Sequence, residues 1–262
     1  MRRGFDPFSA RILWRVAAAG FGISVVFLLE PDIDRWISGL LSTPETGFFW
    51  AQHPIGLLVR DLVIISMLAI VGAAVLSLLA KALAPRPTPL LRITTSVYLL
   101  ATLVLVPGVL VNLVLKDNWG RPRPVHLVEF QDPPSWPVEV AFQPVWVISN
   151  QCPSNCSFVS GEASAGFVVV ALVPLAAARY RRAALASALG WGAIVAAARV
   201  VQGGHFFSDV VLAGILTYIA VGLLHRLLRA DPPTALSEQA CRDRLMRWRA
   251  MLARRWRHHG LI

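Results

Sequence analysis

The sequence predicts an all-α, polytopic membrane protein with six transmembrane helices, and three observations carry that prediction. Apolar residues make up 56 % of the chain and charged residues only 15 %, whereas soluble domains carry roughly a quarter charged residues. Six apolar runs lie at about 12–29, 60–80, 92–115, 163–179, 182–198 and 208–228, and a helical span needs roughly 20 such residues. The remaining polar residues gather at the ends of these runs instead of alternating with apolar ones.

Taken in order, the first run does not read as a cleaved leader, because Glu30, Pro31 and Asp32 follow it where a small-residue cleavage site is required. The link between the second and third runs holds Pro85, Pro87 and Pro89, which cannot continue a helix. Pro133, Pro134, Pro137, Pro144 and Pro153 make the same point for the long link 116–162. The fourth and fifth runs are short and separated only by Tyr180 and its neighbouring arginines, so they form a tight helical hairpin that crosses and returns. Residues 1–228 thus form one six-span unit with a long outer loop, and 229–262 form a basic tail. Within the tail, Ser237 to His259 reads either as a basic helix on anionic headgroups or as a plain solvated segment.

The net charge of +10 comes almost entirely from Arg. These residues lie at chain ends and in short links, not in a patch interleaved with aromatics, so no nucleic-acid partner is expected. Cytoplasmic links are enriched in Lys and Arg. Arg2, Arg3 and Arg11, then Lys81, Arg86 and Arg92, then Arg179, Arg181 and Arg182, and finally the tail therefore face the cytoplasm, as do both termini. Links 31–56, 116–162 and 199–207 face outward, which in a bacterial inner membrane is the periplasm.

Three polar clusters sit at that outer edge. The first runs from Lys116 through Arg121 to Arg123 and Pro124, the second from Ser157 to Glu162, and the third from Arg199 through His205 to Asp209. The hairpin returns the third cluster to the face where the second begins. Lys116, Arg121, Arg123 and Arg199 would repel one another unless an anion joins them, and guanidinium forks match phosphate oxygens. Ser160 and Gly161 precede a helix whose first N–H groups can help cradle that anion. His205 and Asp209 are four residues apart, a spacing that lets a carboxylate fix the imidazole tautomer and leave the other nitrogen free to attack phosphorus.

Such a site calls for a lipid phosphate as substrate and membrane lipids as surroundings, with no cofactor and no metal. Cys152 and Cys156 are close enough for a local disulfide, but two separate thiols remain an equal reading. A transporter would place ionisable residues in mid-span, and these are largely absent.

These residues resemble the type-2 phosphatidic acid phosphatases, which share a catalytic core with vanadium haloperoxidases. The family pattern is K-x(6)-R-P, then P-S-G-H, then S-R-x(5)-H-x(3)-D. Lys116 to Arg123-Pro124 matches the first part, and Arg199, His205 and Asp209 match the third with Ala198 in place of Ser. The likeness runs from about residue 60 to 228. It implies a metal-independent phosphatase with its site at the periplasmic helix ends, His205 as the nucleophile that becomes a phosphohistidine, and Asp209 as its orienting partner. Lys116, Arg123 and Arg199 would bind phosphate, assisted by Ser160 and Gly161.

The second motif departs, with Val159 for the family's Pro and Glu162 for its His, the usual acid for the leaving alcohol. Either Glu162 supplies that proton in the substrate complex, or the leaving group needs little help. Lipid A, phosphatidylglycerol phosphate, phosphatidic acid and undecaprenyl pyrophosphate all fit as substrates, and a degenerate phospholipid-binding or transport protein is the alternative from another class. His53, His126, His225, His258 and His259 read as surface or interfacial residues. Trp119, Trp136, Trp146 and Trp191 read as interfacial anchors or packing residues.

Overall fold

The structure, a computed structural model, describes residues 5–83, 91–132, 140–230, 234 and 237–258, with the backbone alone for Asp117, Leu252, Ala253 and 255–258. Arg2, Arg3, Pro85, Arg86, Pro87, Pro89, Pro133, Pro134, Trp136, Pro137 and His259 lie outside the described residues.

The apolar runs become helices. Helix α1 spans Ala10–Leu29 and ends where Glu30 precedes Pro31, a position that disfavours helical backbone. The short α2, Asp32–Gly39, carries Asp32 and Asp34 in its first turn, where carboxylates suit the helix dipole. A two-residue ladder, β1 (Ser42–Thr43) against β2 (Gly47–Phe48), closes the first outer link. Helix α3, Pro54–Leu83, starts six residues before the apolar run, at a proline that suits the first turn of a helix. Its 30 residues reach about 45 Å, longer than the roughly 30 Å hydrocarbon core.

Helix α4, Ile93–Lys116, widens into π-helical turns from Val104 onward. Pro107 lies in that stretch and has no N–H to give the ladder. The Asn112 side chain donates to the Pro107 carbonyl at 2.7 Å, which satisfies an oxygen that water does not reach in a membrane. Helix α5, Gly161–Leu175, is apolar but shorter than the length that crosses a membrane. It has seven α-helical residues followed by eight in 3₁₀ form with Pro174 among them. The 3₁₀ half rises faster per residue, so the whole reaches roughly 26 Å.

After a turn at Ala178–Tyr180, α6 (Arg181–Val201) and α7 (Phe207–His225) complete the set. Among the described residues five helices are long and apolar enough to cross a membrane, with α5 as the shorter companion. Buried contacts among α1, α4, α5, α6 and α7 form the core around Tyr98, Val106, Val168, Val170 and Val221.

The tail also orders as a helix, α8 (Glu238–His258). Glu238 accepts hydrogen bonds from the Ile93 and Thr94 N–H groups at 3.1 and 3.0 Å and from the Thr94 hydroxyl at 3.0 Å. It thereby occupies the positive N-terminus of α4, while Arg249 donates to the Leu83 carbonyl at 3.1 Å. The tail is thus fastened to the end of the bundle opposite Lys116 and Arg199.

Candidate active site

The site is assembled where α4 ends, α5 begins, α6 ends and α7 begins. Gly203 makes the turn from α6 toward α7, with φ of +69° and the Phe48 ring packed where a Cβ would project. A side chain there would meet both the left-handed penalty and that ring. The turn delivers His205, which is 1 % exposed. Its Nδ1 lies 2.7 Å from the Ser157 carbonyl oxygen. A carbonyl can only accept, so Nδ1 carries the proton and Nε2 keeps a lone pair.

Burial, followed by Arg123, Arg199 and Lys116, drives the His205 pKa well below its ordinary value, against the opposing pull of the Ser157 hydrogen bond. The imidazole is therefore neutral at neutral pH.

Asp209 reaches His205 through Ser157 and not by direct contact, as the sequence had suggested. The Ser157 hydroxyl donates to Asp209 Oδ2 at 2.5 Å while the same residue's carbonyl holds the ring. The Phe206 N–H donates to the same Oδ2 at 3.0 Å. Behind Asp209 lies a residue whose role the motif leaves open. Arg121 is 0 % exposed and donates to Asp209 Oδ1 at 2.6 Å, Asp34 Oδ2 at 2.8 Å, the Ser208 hydroxyl at 2.9 Å and the Gln143 carbonyl at 2.8 Å. Its guanidinium also lies over the Phe206 ring, 4.3 Å from the centroid.

Asp34 in turn accepts from the Ser208 N–H at 2.8 Å and the Ser208 hydroxyl at 2.5 Å. Asp34, Ser157 and Ser208 are the partners that sequence reasoning missed. Asp34 lies in the link 31–56, and no local spacing ties it to residues so far along the chain.

Arg123 and Arg199 line one cleft of about 600 Å³ with Gly204, Gln202, Gln131, Gln52 and Glu45. Arg123 is aimed by Asn155, whose carbonyl and side-chain oxygens accept at 3.0 and 2.6 Å. Burial and then the neighbouring Arg199 lower its pKa, against the opposing pull of Glu162 and Asp209. Arg199 donates to Gln202 at 2.7 Å and forms an ion pair with Glu162 at 2.7 Å whose N–H is not in line with the oxygen. Arg60 lies 3.9 Å from the other Glu162 oxygen. Lys116, at the end of α4, is near enough to act on His205.

Ser160 caps α5, its hydroxyl accepting the Ala163 N–H at 3.2 Å, and its own N–H points to the Asp209 carbonyl at 3.4 Å. Both groups are thus engaged within the protein, and of this pair the Gly161 N–H is the one left in the helix's first turn. Gly161 is glycine for packing, because a Cβ would sit 2.5 Å from Asn112 Oδ1.

Cys152 and Cys156 are joined in a disulfide, with Cα atoms 5.7 Å apart, immediately before Ser157. His126 is a correction to the sequence reading: it is buried, not superficial, and its Nδ1 accepts the Arg123 N–H at 3.1 Å. Burial and then Arg123 lower its pKa to about 4. His225 is likewise half-buried, packed against Phe8 and Tyr98. Trp119 and Trp146 pack with Phe158, and Trp146 donates to the Ser24 carbonyl at 3.1 Å, tying the outer loop to α1.

Comparison with known proteins gives this geometry a context. The family model described as "PAP2 superfamily" matches residues 95–232, more than half of the chain. The chain is 46 % identical over 123 residues to a lipid A 4'-phosphatase of Francisella tularensis subsp. novicida, covering 47 % of this chain and 53 % of that protein. It is 37 % identical over 142 residues to a lipid A 4'-phosphatase of Rhizobium leguminosarum, covering 53 % and 57 %. A third, from Rhizobium etli, is 31 % identical over 139 residues, covering 53 % and 52 %. The matched region thus spans about half the length of these relatives. No solved structure matches the chain.

Proposed function

From the premise that this chain belongs to the PAP2 superfamily, we propose that it is a membrane phosphatase that hydrolyses a lipid phosphate ester through a phosphohistidine on the periplasmic face. Lipid A is the favoured substrate class, since the relatives above carry that activity in their names. The observation that carries the reading is the His205 ring, fixed by the Ser157 carbonyl with Nε2 unprotonated in a ring of cations.

The chemistry runs in two displacements. His205 Nε2 attacks phosphorus, a P–N bond forms, and the P–O bond to the lipid breaks. Nδ1–H remains on the Ser157 carbonyl, so the imidazole is oriented throughout. Lys116, Arg123 and Arg199 stabilise the charge spread over the transferred phosphoryl oxygens, with Gly161 assisting at the α5 N-terminus. Water then attacks phosphorus, the P–N bond breaks, and inorganic phosphate leaves. No metal or cofactor enters this scheme.

Glu162 is the group we assign to move protons. It sits between Arg60 and Arg199, and an incoming phosphate competes for Arg199. The displaced carboxylate takes up a proton from solvent or from a singly protonated phosphate ester, gives it to the leaving oxygen, and then takes one from the attacking water.

Release of phosphate from lipid A, phosphatidylglycerol phosphate, phosphatidic acid and undecaprenyl pyrophosphate tests the reading, with His205→Ala as control and with vanadate or chelator added. Activity is expected to vanish in His205→Ala, fall with vanadate and persist in chelator. Loss in chelator would overturn the metal-free scheme. Glu162→Gln should lose more rate on poor leaving groups than on good ones, and equal loss would remove Glu162 as the acid.

A further inference from the structure

We propose that Asp34 and Arg121 are positioning residues for His205, so that the first outer link, through α2, is a working part of the site. The inference rests on the functional reading above and extends it to a residue outside 95–232, the region that matches the family.

The argument begins with burial. Asp34, Arg121, Ser208 and Asp209 are 1, 0, 0 and 0 % exposed. Charges so desolvated persist only when paired and hydrogen-bonded. Here one cation answers two carboxylates, and hydrogen bonds reach both Asp34 oxygens, both Asp209 oxygens, Ser208 and Arg121. Such a network has one low-energy arrangement.

The network also leads somewhere. From α2, Asp34 grips Ser208 and Arg121; Arg121 grips Asp209; Asp209 takes the Ser157 hydroxyl; and the Ser157 carbonyl takes His205 Nδ1. Four separate chain segments therefore meet to place one carbonyl oxygen. Asp34 has a second effect, since it shares the Arg121 charge. Without Asp34, Arg121 answers Asp209 alone, and the geometry that presents the Ser157 carbonyl to His205 shifts with it.

The test is Asp34→Asn, which keeps the shape and removes the charge, in the full chain in detergent with lipid A micelles. Wild type must first release phosphate and yield an acid-quenched phosphohistidine; if it does neither, the functional reading fails and takes this inference with it. Given an active wild type, Asp34→Asn should keep its melting temperature and KM within about twofold while kcat falls at least about tenfold.

The pH profile supplies a readout that a merely structural role would not move. His205 faces Lys116, Arg123 and Arg199 on one side and the Asp209, Arg121 and Asp34 network on the other. Removing a negative charge makes the imidazole harder to protonate, so the acid limb of kcat/KM moves to lower pH. Arg35→Gln, which breaks the exposed Arg35–Glu129 pair on the same helix, should leave kcat unchanged. A kcat per folded molecule and an acid limb equal to wild type would overturn the proposal. Should Asp34→Asn fail to fold, Ser157→Ala decides by kcat alone, because it cuts the bond from Asp209 to the Ser157 hydroxyl without altering charge: a fall of at least about tenfold at unchanged KM is expected, and a wild-type kcat would overturn the proposal.

Discussion

At the scale of single residues, the balance of burial and charge around His205 sets a pH dependence. Because burial and three cations push its pKa well below the ordinary imidazole value, Nε2 stays unprotonated in acid that would silence a solvent-exposed histidine. The kcat/KM profile is therefore expected to stay flat through pH 6.5 and to fall only well below it, as steady-state phosphate release across pH will show. A midpoint at the ordinary histidine value would mean that the cations do not surround the ring. Arg121 carries a different kind of prediction. Arg121→Ala leaves Asp34 and Asp209 buried without their cation, a loss of about 3–5 kcal/mol, readable as a lowered unfolding midpoint in denaturant. Of the four outer cations grouped from sequence, Arg123 and Arg199 line the cleft and Arg121 does not. Nothing in the string Gly120-Arg-Pro-Arg-Pro separates them, because the difference arises from Asp34, which joins from a distant helix.

At the scale of elements, apolar run length made every span legible, while the ends were set by chemistry that hydropathy does not weigh. Pro54 and Gly56 lie in the first turns of α3, ahead of the apolar run, and Ala176 turns extended, closing α5 before its run stops. The turn between α6 and α7 was readable as flexible from Gly203 and Gly204, but the need for a left-handed residue against Phe48 was not. Gly203→Ala should cost about 1–2 kcal/mol for the backbone alone. Displacing the Phe48 ring adds to that, so kcat should fall along with the melting temperature. The junction of α8 with α4 has its own pH signature. Burial raises the Glu238 pKa, but the N–H groups of Thr94 and Ile93, the Thr94 hydroxyl and Lys81 outweigh it and hold the carboxyl below its ordinary value of 4.5. A depressed carboxyl stabilises above its unfolded pKa and loses that contribution as pH falls through the folded one. Limited proteolysis of the tail should therefore accelerate on acidification below about 4.5, and Glu238→Gln should show the faster cleavage already at neutral pH.

At the scale of the whole molecule, the two ends of the bundle carry cations in different ways, and that difference argues for an orientation. At the end that carries the site, Arg35 and Arg121 face carboxylates within the protein, and Arg60 and Arg199 both face Glu162 beside the cleft. At the other end Arg11, Arg92, Arg179, Arg182, Arg242, Arg244 and Arg247 accumulate with few acids among them. An excess of this kind marks the cytoplasmic side of a bilayer. The disulfide agrees, because Cys152–Cys156 lies beside the site while Cys241, in α8, is a free thiol, and disulfides persist in the oxidising periplasm, not in the cytosol. In spheroplasts a membrane-impermeant maleimide should leave Cys241 unlabelled until the membrane is permeabilised. Cys152 and Cys156 should react from outside, but only after reduction. Labelling of Cys241 in intact spheroplasts would reverse the topology and move the proposed chemistry to the cytoplasmic face, leaving the geometry around His205 as it is but changing which leaflet presents its lipid.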